Sequence, residues 1–320
     1  MIEALVIGRV GVDLTPTSPR TSLASAASFT RAVGGFSGNI GTALARLGVS
    51  TAVIAAVGDD GHGQHVRTFL ADEGVDVSAI VSRRGSRTQV AFFEVWPPER
   101  FPVTFYRSDP APETGLTMEE VPAGLLASAS VAVISGTLLA SDPARGTVFS
   151  ILEARRAGRS LGAATTTILD LDWRPTLWGD PVAAPALLAR AARLSDVVIG
   201  SDLEFDAVQL APEVDPEAGP DLIVLKHGAD GVGLVSSDGR RRIPGIAVDV
   251  LCGIGSGDAL TASVAAGLIR GLGPFAAIER GNAAGAIVAT RLMCSNAMPT
   301  DEEIDRMLAN HAVAPTGTNR

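Results

Sequence analysis

The sequence predicts an α/β protein in which a mostly parallel sheet carries helices on both faces. Three observations predict it. Short, near-continuous apolar runs recur along the chain, and a segment with apolar residues at helical spacing follows most of them. Hydrophobic residues make up 46% of the chain but aromatics only 4%, and alanine is abundant, so small side chains let helices lie close against a sheet. The 35 glycines and 19 prolines suit many tight turns between short elements. At 320 residues the chain can bury one large core, or a core plus a small appendage.

The elements follow in order. Ala4–Gly8 (ALVIG) reads as the first strand, followed by a polar, Pro/Ser/Thr-rich stretch from Asp13 to Ser28. GGFSGN (34–39) leads into the helical pattern IGTALARLG, which Gly48 stops. Thr51–Gly58 is the next strand, and HVRTFLADEG the next helix. Thr88–Phe93 and Val103–Tyr106 are β-rich runs separated by WPPERFP, with no helix between them. They read as a hairpin that leaves the parallel sheet and forms a small lid with the earlier insert. Alternation resumes with strands at 131–135, 166–172, 196–200 and 221–228, and with helices at 145–157 and 185–194. An antiparallel pair, 232–237 and 240–246, precedes an alanine-rich helical region that runs to Thr290. The tail HAVAPTGTNR is expected to fray.

Composition excludes several function classes. A net charge of −9 argues against a nucleic-acid partner. Two cysteines, Cys252 and Cys294, are too few for a disulfide framework, and four histidines without paired spacing give no zinc site. The N-terminal apolar run is too short for a signal peptide. The uncharged stretch Val121–Ser141 contains Pro122, Gly124 and Gly136, and reads as a helix end, a strand and a loop rather than a membrane span. A cytoplasmic protein with no membrane partner is expected.

The strongest local feature is CGIGSGDALTASVAAGLIRG (252–271). A strand gives way to alternating glycines and then to a helix. Such glycines let backbone N–H groups converge beside a helix N-terminus and hold an anion. Asp258 falls in the first turn, where the dipole favours its ionised form. A carboxylate there can take a hydroxyl proton while the amides hold a transferring phosphoryl group. The plainer reading is a tight turn with Asp258 as a helix cap. A dinucleotide fingerprint is not met, because Asp258 stands where its last glycine belongs. In GGFSGN, Gly34 and Gly35 permit close backbone approach, and Asn39 offers a donor and an acceptor to a sugar, or merely caps the helix.

GGFSGNIGTALARLG and GIGSGDALTAS resemble the two signatures of the PfkB/ribokinase sugar kinases. VIGRVGVDLTP, FFEVWPPERFPVTFYRSDPAPE, ILDLDWRPTLW, VVIGSDLEF and NAAGAIVATRLMCSNAMPT extend the resemblance from about Ala4 to Leu308. They are similar, more narrowly, to the branch of that family that serves myo-inositol catabolism. The resemblance implies a single ribokinase-like doubly wound domain over 1–320, with a β lid built from about 13–30 and 87–112. It implies ATP-dependent phosphorylation of a sugar or sugar acid, with Asp258 as base and the Gly255, Ser256 and Gly257 amides as anion hole. Asp13, Gly35 and Asn39 would bind substrate hydroxyls. Phe93, Tyr106 and Arg107 would close over the substrate, or simply pack. Asp172 and Arg174 follow a strand end, where such sheets bind ligands, and the planar fork of Arg174 suits a carboxylate or phosphate. Lys226, Gly228, Gly231 and Asn282 would border ATP, as would the segment Thr290–Met298. Glu204 matches the end of the family's N-x-x-E motif, which organises Mg²⁺ through water.

The sequence departs from the pattern at Ser201, where Asn is usual, and at Cys252, where Asp or Asn is usual. The first touches Mg²⁺ organisation, and the second a monovalent-cation (K⁺) site that some relatives have. Phe36 in the substrate loop is bulkier than usual, which leaves the sugar's identity open. Expected partners are ATP and a small sugar or sugar acid, with a homodimer through the lid as a further expectation. The rival readings are another sugar kinase of this family, acting on 2-keto-3-deoxygluconate, ribose or fructose, or a weakly active sugar- or nucleotide-binding protein.

Overall fold

A computed structural model describes residues 2–215 and 219–313. Its strands are β1 (Ala4–Ile7), β2 (Gly11–Pro16), β3 (Phe29–Gly34), β4 (Thr51–Gly58), β5 (Ile80–Arg83), β6 (Val90–Phe93), β7 (Val103–Tyr106), β8 (Val131–Ser135), β9 (Thr166–Asp170), β10 (Val197–Ser201), β11 (Leu222–Lys226), β12 (Gly231–Ser236) and β13 (Gly239–Pro244). Nine form the main sheet, in the order β13-β12-β11-β10-β9-β8-β1-β4-β5. Pairing is parallel from β11 to β5, and antiparallel for β11–β12 and β12–β13.

The parallel strands are apolar on both faces because both faces are covered. Alternation along β1 sends Val6 into one core with Ile40, Leu44 and Val264, and sends Leu5 and Ile7 into the other with Leu152 and Leu188. The first core lies under helices Phe36–Arg46 and Ser256–Ile269, and the second under Ala144–Ser160 and Ala184–Leu194. Strand order reverses at β1, which lies between β4 and β8 and runs parallel to both. The carboxyl ends of β1 and β8–β11 therefore open onto one crevice, where a doubly wound sheet binds its ligands.

The second sheet has the order β3-β2-β6-β7. β6 and β7 match the expected hairpin. β2 lies partly within the stretch read as a polar insert, β3 follows that stretch directly, and β3 and β5 both fall where no strand was read. All three escape a periodicity reading for a physical reason. Each mixes polar residues into a short run, as in VDLTP, FTRAV and IVSR, because each lies in the small sheet or at the main sheet's edge. Val121–Ser141 resolves into helix Ala123–Ser128, β8 and a 3₁₀ turn over Gly136–Ala140. Among the described residues no helix is long and apolar enough to cross a membrane. The frayed end expected for the tail lies, from residue 314 on, outside the described residues.

Ile134 is fully buried in β8, whereas Tyr106 is 61% exposed. Ile134→Ala is expected to cost about 2–5 kcal/mol and Tyr106→Ala less than about 1 kcal/mol, compared by urea denaturation.

Candidate active site

The crevice holds two adjoining cavities. One, of about 560 Å³, lies between the strand ends and the inner face of the second sheet, and Asp258 lines it. The other, of about 650 Å³, is mostly apolar and lies between Gly228–Val232, Gly245–Val250 and helix Pro274–Ala289. Lys226, Gly253 and Gly257 line both, and so do Glu99 and Phe101 from the loop between β6 and β7.

Gly255 caps the helix Ser256–Ile269 with φ +89, a left-handed conformation that suits glycine. Asp258 is the third residue of that helix. The Gly255, Gly257 and Asp258 amides have no backbone acceptor among the described residues, whereas the Ser256 amide donates to the Gly253 carbonyl at 3.3 Å. The expected three-amide hole over Gly255–Gly257 thus has two free members, and the Asp258 amide is a third. This geometry suits an anion.

Sequence reasoning favoured an ionised Asp258 because of the helix dipole. Burial wins instead and pushes its carboxyl up to about 7, with Asp172's charge adding and a hydrogen bond from Asn39 opposing. Asn39 lies inside helix Phe36–Arg46 rather than capping it. Its Nδ2 donates to Asp258 Oδ2 at 2.6 Å, and its Oδ1 accepts from Ser295 Oγ at 2.8 Å. Asn39 lines the first cavity, where the acceptor sugar is expected, but its side chain is shared between the Asp258 carboxylate and Ser295. Asp13 is buried at the cavity wall, and glycine at 34 is what admits it: a Cβ there would come within 1.9 Å of its carboxylate. Gly35, with φ +79, carries the chain past Arg9.

A network of buried charges crosses the strand ends. Lys226 Nζ meets Asp170 Oδ1 at 3.2 Å and Glu204 Oε2 at 3.5 Å. Burial opposes its charge, but the two carboxylates more than offset this and hold it protonated. A Cβ on Gly257 would lie 3.5 Å from Nζ, so the ammonium stands beside the anion hole. Asp170, which no motif singled out, also accepts from Thr261 Oγ1 at 2.7 Å. Asp172 adopts φ +37, accepts from Ser135 Oγ at 2.8 Å and from Arg9 at 3.3 Å, and forms an ion pair with Arg174 at 3.4 Å. Burial would raise its pKa, but the arginines lower it overall.

Ser201, the departure from the Asn of the family motif, caps helix Asp202–Ala207 in a reciprocal box with Glu204. Glu204 also accepts from the Trp173 amide at 3.0 Å, so both its oxygens are fixed at the cavity edge by backbone donors. Among the described residues no group of three His, Cys, Asp or Glu gathers to hold a metal. Mg²⁺ keeps waters and phosphate oxygens and needs few protein ligands, and Glu204, with both oxygens fixed at the cavity edge, is the carboxylate that fits such a role. Cys252 is buried with Phe93, Met293 and Cys294 and offers sulfur rather than the oxygen a hard cation prefers, so the residue does not support a K⁺ site.

Most residues singled out in the sequence meet here. Phe93, Arg174 and Glu204 line the acceptor cavity, and Gly228, Gly231, Ser256 and Asn282 line the other. Three readings are corrected. Tyr106 points outward against Phe92, and Val103 and Phe105 face the cavity, because strand alternation turns neighbours to opposite sides. Arg107 pairs with Glu113 and lines only a small neighbouring cleft. Thr290–Met298 borders neither cavity: Met293 and Cys294 pack beneath Phe93, and Ser295 anchors Asn39. The residues missed are Arg9, Asp170 and Phe105. A charge directly after a buried strand, as in VIGR and ILD, is the signal that finds the first two.

The pfkB family carbohydrate kinase model matches residues 1–301. The chain belongs to the PfkB family of carbohydrate kinases. It is 33% identical to 5-dehydro-2-deoxygluconokinase of Clostridium tetani, covering 96% of this chain and 93% of that one. To the protein of the same name from Photobacterium profundum it is 34% identical, covering 94% and 93%. Its fold matches aminoimidazole riboside kinase of Salmonella enterica, solved with aminoimidazole riboside and an ATP analogue, with a TM-score of 0.75, 25% identity, and 96% and 99% of the two chains covered.

Because the Asn39 hydrogen bond lowers the Asp258 pKa, Asn39→Ala should move it upward from about 7. A general base works deprotonated, so with Asp258 in that role the acid limb of the kcat/KM–pH profile should shift to higher pH. An unshifted limb in the variant is the contrary result.

Proposed function

We propose that this chain transfers the γ-phosphoryl group of ATP to the primary hydroxyl of 5-dehydro-2-deoxygluconate, giving its 6-phosphate. The observation that carries the reading is the junction of the two cavities. Asp258 lines the acceptor side, while Gly257 and Lys226 line both sides, so base and anion hole meet at one point. The choice of acceptor is supported by the relatives of that name and by the two arginines, Arg9 and Arg174, that line the acceptor cavity.

The acceptor hydroxyl donates to Asp258, whose pKa near 7 suits a base working at neutral pH. As the hydroxyl oxygen forms its bond to the γ-phosphorus, the bond to the β–γ bridging oxygen breaks, and the proton passes to Asp258. The Gly255 and Gly257 amides and Lys226 hold the charge on the transferring group and the departing ADP. ATP is read into the apolar cavity, with Asn282 fixed there through its 2.8 Å bond to the Pro244 carbonyl. Mg²⁺ would be held by the ATP phosphates and, through water, by Glu204, and supplies charge neutralisation on the phosphates. Asp13 and Asn39 position the sugar. The second sheet acts as a lid: Phe93 and Phe105 cover the acceptor cavity, and Glu99 and Phe101 reach the junction, excluding the water that would compete as acceptor.

Coupled ADP release over a panel of sugar acids, ribose and fructose tests the reading, with 5-dehydro-2-deoxygluconate expected to give the highest kcat/KM. Asp258→Asn should lower kcat by about 10²–10⁴-fold with little change in acceptor affinity. Turnover near the wild-type value removes Asp258 from the role of base.

A further inference from the structure

Arg9 follows the central strand β1, and its side chain is only 7% exposed. Its hydrogen bonds among the described residues both run from Nη2 to the Asp172 carboxylate, at 3.3 and 3.4 Å. Those contacts are long for a charge-assisted pair, which normally closes to about 2.7–2.9 Å. Nε is buried without any partner. A buried guanidinium with unused donors is costly unless something supplies acceptors. Arg9 lines the acceptor cavity, and Phe105 of the second sheet stands over it, with the ring centroid 5.7 Å from Cζ. Asp172 is shared with Arg174, whose Nε lies 3.4 Å from Oδ1. Asp172 is shared between two guanidinium groups, so Arg9 has no carboxylate to itself, whereas Arg174 also feels Glu204, Asp258 and Asp170. Asp13, the other acid near Arg9, is held toward its neutral form by burial.

We propose that Arg9 is a second carboxylate-binding arm of the acceptor site, acting with Arg174 to hold the acceptor's carboxylate and to select sugar acids over neutral sugars. An incoming carboxylate gives Arg9 an acceptor beyond the Asp172 it shares. Asp172 is the anchor that keeps both forks turned into the cavity. A planar fork does this better than an ammonium, which is a point charge. The inference rests on the sugar-acid reading above.

Isothermal titration of the full chain with 5-dehydro-2-deoxygluconate and with its uncharged C1 amide separates the two ideas. The wild type should prefer the acid. Arg9→Gln should weaken the acid by about 10- to 100-fold, the range for a lost hydrogen bond to a charged group, and the amide by no more than about 3-fold. Arg9→Lys keeps a charge beside Asp172 should the glutamine variant fail to fold, and should lower the acid-over-amide preference by at least about 3-fold. An acid preference that survives substitution, or an equal loss for both compounds, overturns the assignment of Arg9 alone. A wild type that binds neither compound overturns the acceptor reading, and this inference with it.

Discussion

A hydrogen bond at the site ties the start of the chain to its end and sets the charge of one carboxylate. Asn39, in the helix that follows the first hairpin of the second sheet, donates at 2.6 Å to Asp258 at the start of the buried helix Ser256–Ile269. That carboxylate lies among amides that favour its charge and in surroundings that disfavour it. Burial is the larger effect and brings its pKa to about 7, and the Asn39 bond keeps it from rising further. The poise of the base thus depends on two helices keeping their relative position. They keep it because both pack on one face of the sheet through small and branched apolar residues such as Ile40, Ala262 and Val264.

The same balance governs the rest of the crevice. Charged side chains at the strand ends are tolerated because they alternate in sign. Lys226 lies between Asp170 and Glu204, and Asp172 between Arg9 and Arg174. Each pair offsets part of the cost of burial, and the unbalanced donors and acceptors that remain face the cavities. Acids gather around Asp258, while Arg9 and Arg174 stand together on Asp172. The alternation therefore gives the acceptor cavity a direction as well as a shape.

Much of the fold was legible in the sequence because the parallel strands are buried on both faces and read as unbroken apolar runs, as in TAVIAAVG and VAVIS. β2, β3 and β5 were not, because strands at an edge or in a small half-covered sheet carry polar residues that hide their period. The Gly-x-Gly-Asp turn was legible because its chemistry is local. The positioning role of Asn39, the Asp170–Lys226 pair and the buried Arg9 were not, since each depends on a contact between residues distant in the chain. Tyr106 and Phe105 show how narrow the margin is. The hairpin was found, but which of two adjacent aromatics faces the sugar depends on the register of the sheet. Ser201 shows a departure from pattern absorbed locally, since a serine caps the short helix and still fixes Glu204.

The central claim is that burial poises Asp258 as a base near neutral pH. The most direct test is a ¹³C NMR titration of the Asp258 side-chain carboxyl in the intact chain, assigned by comparison with Asp258→Asn. A midpoint near 7 is the result expected from the geometry. A midpoint close to the ordinary aspartate value of about 4 would show that the carboxylate is solvated and free of the constraint described here.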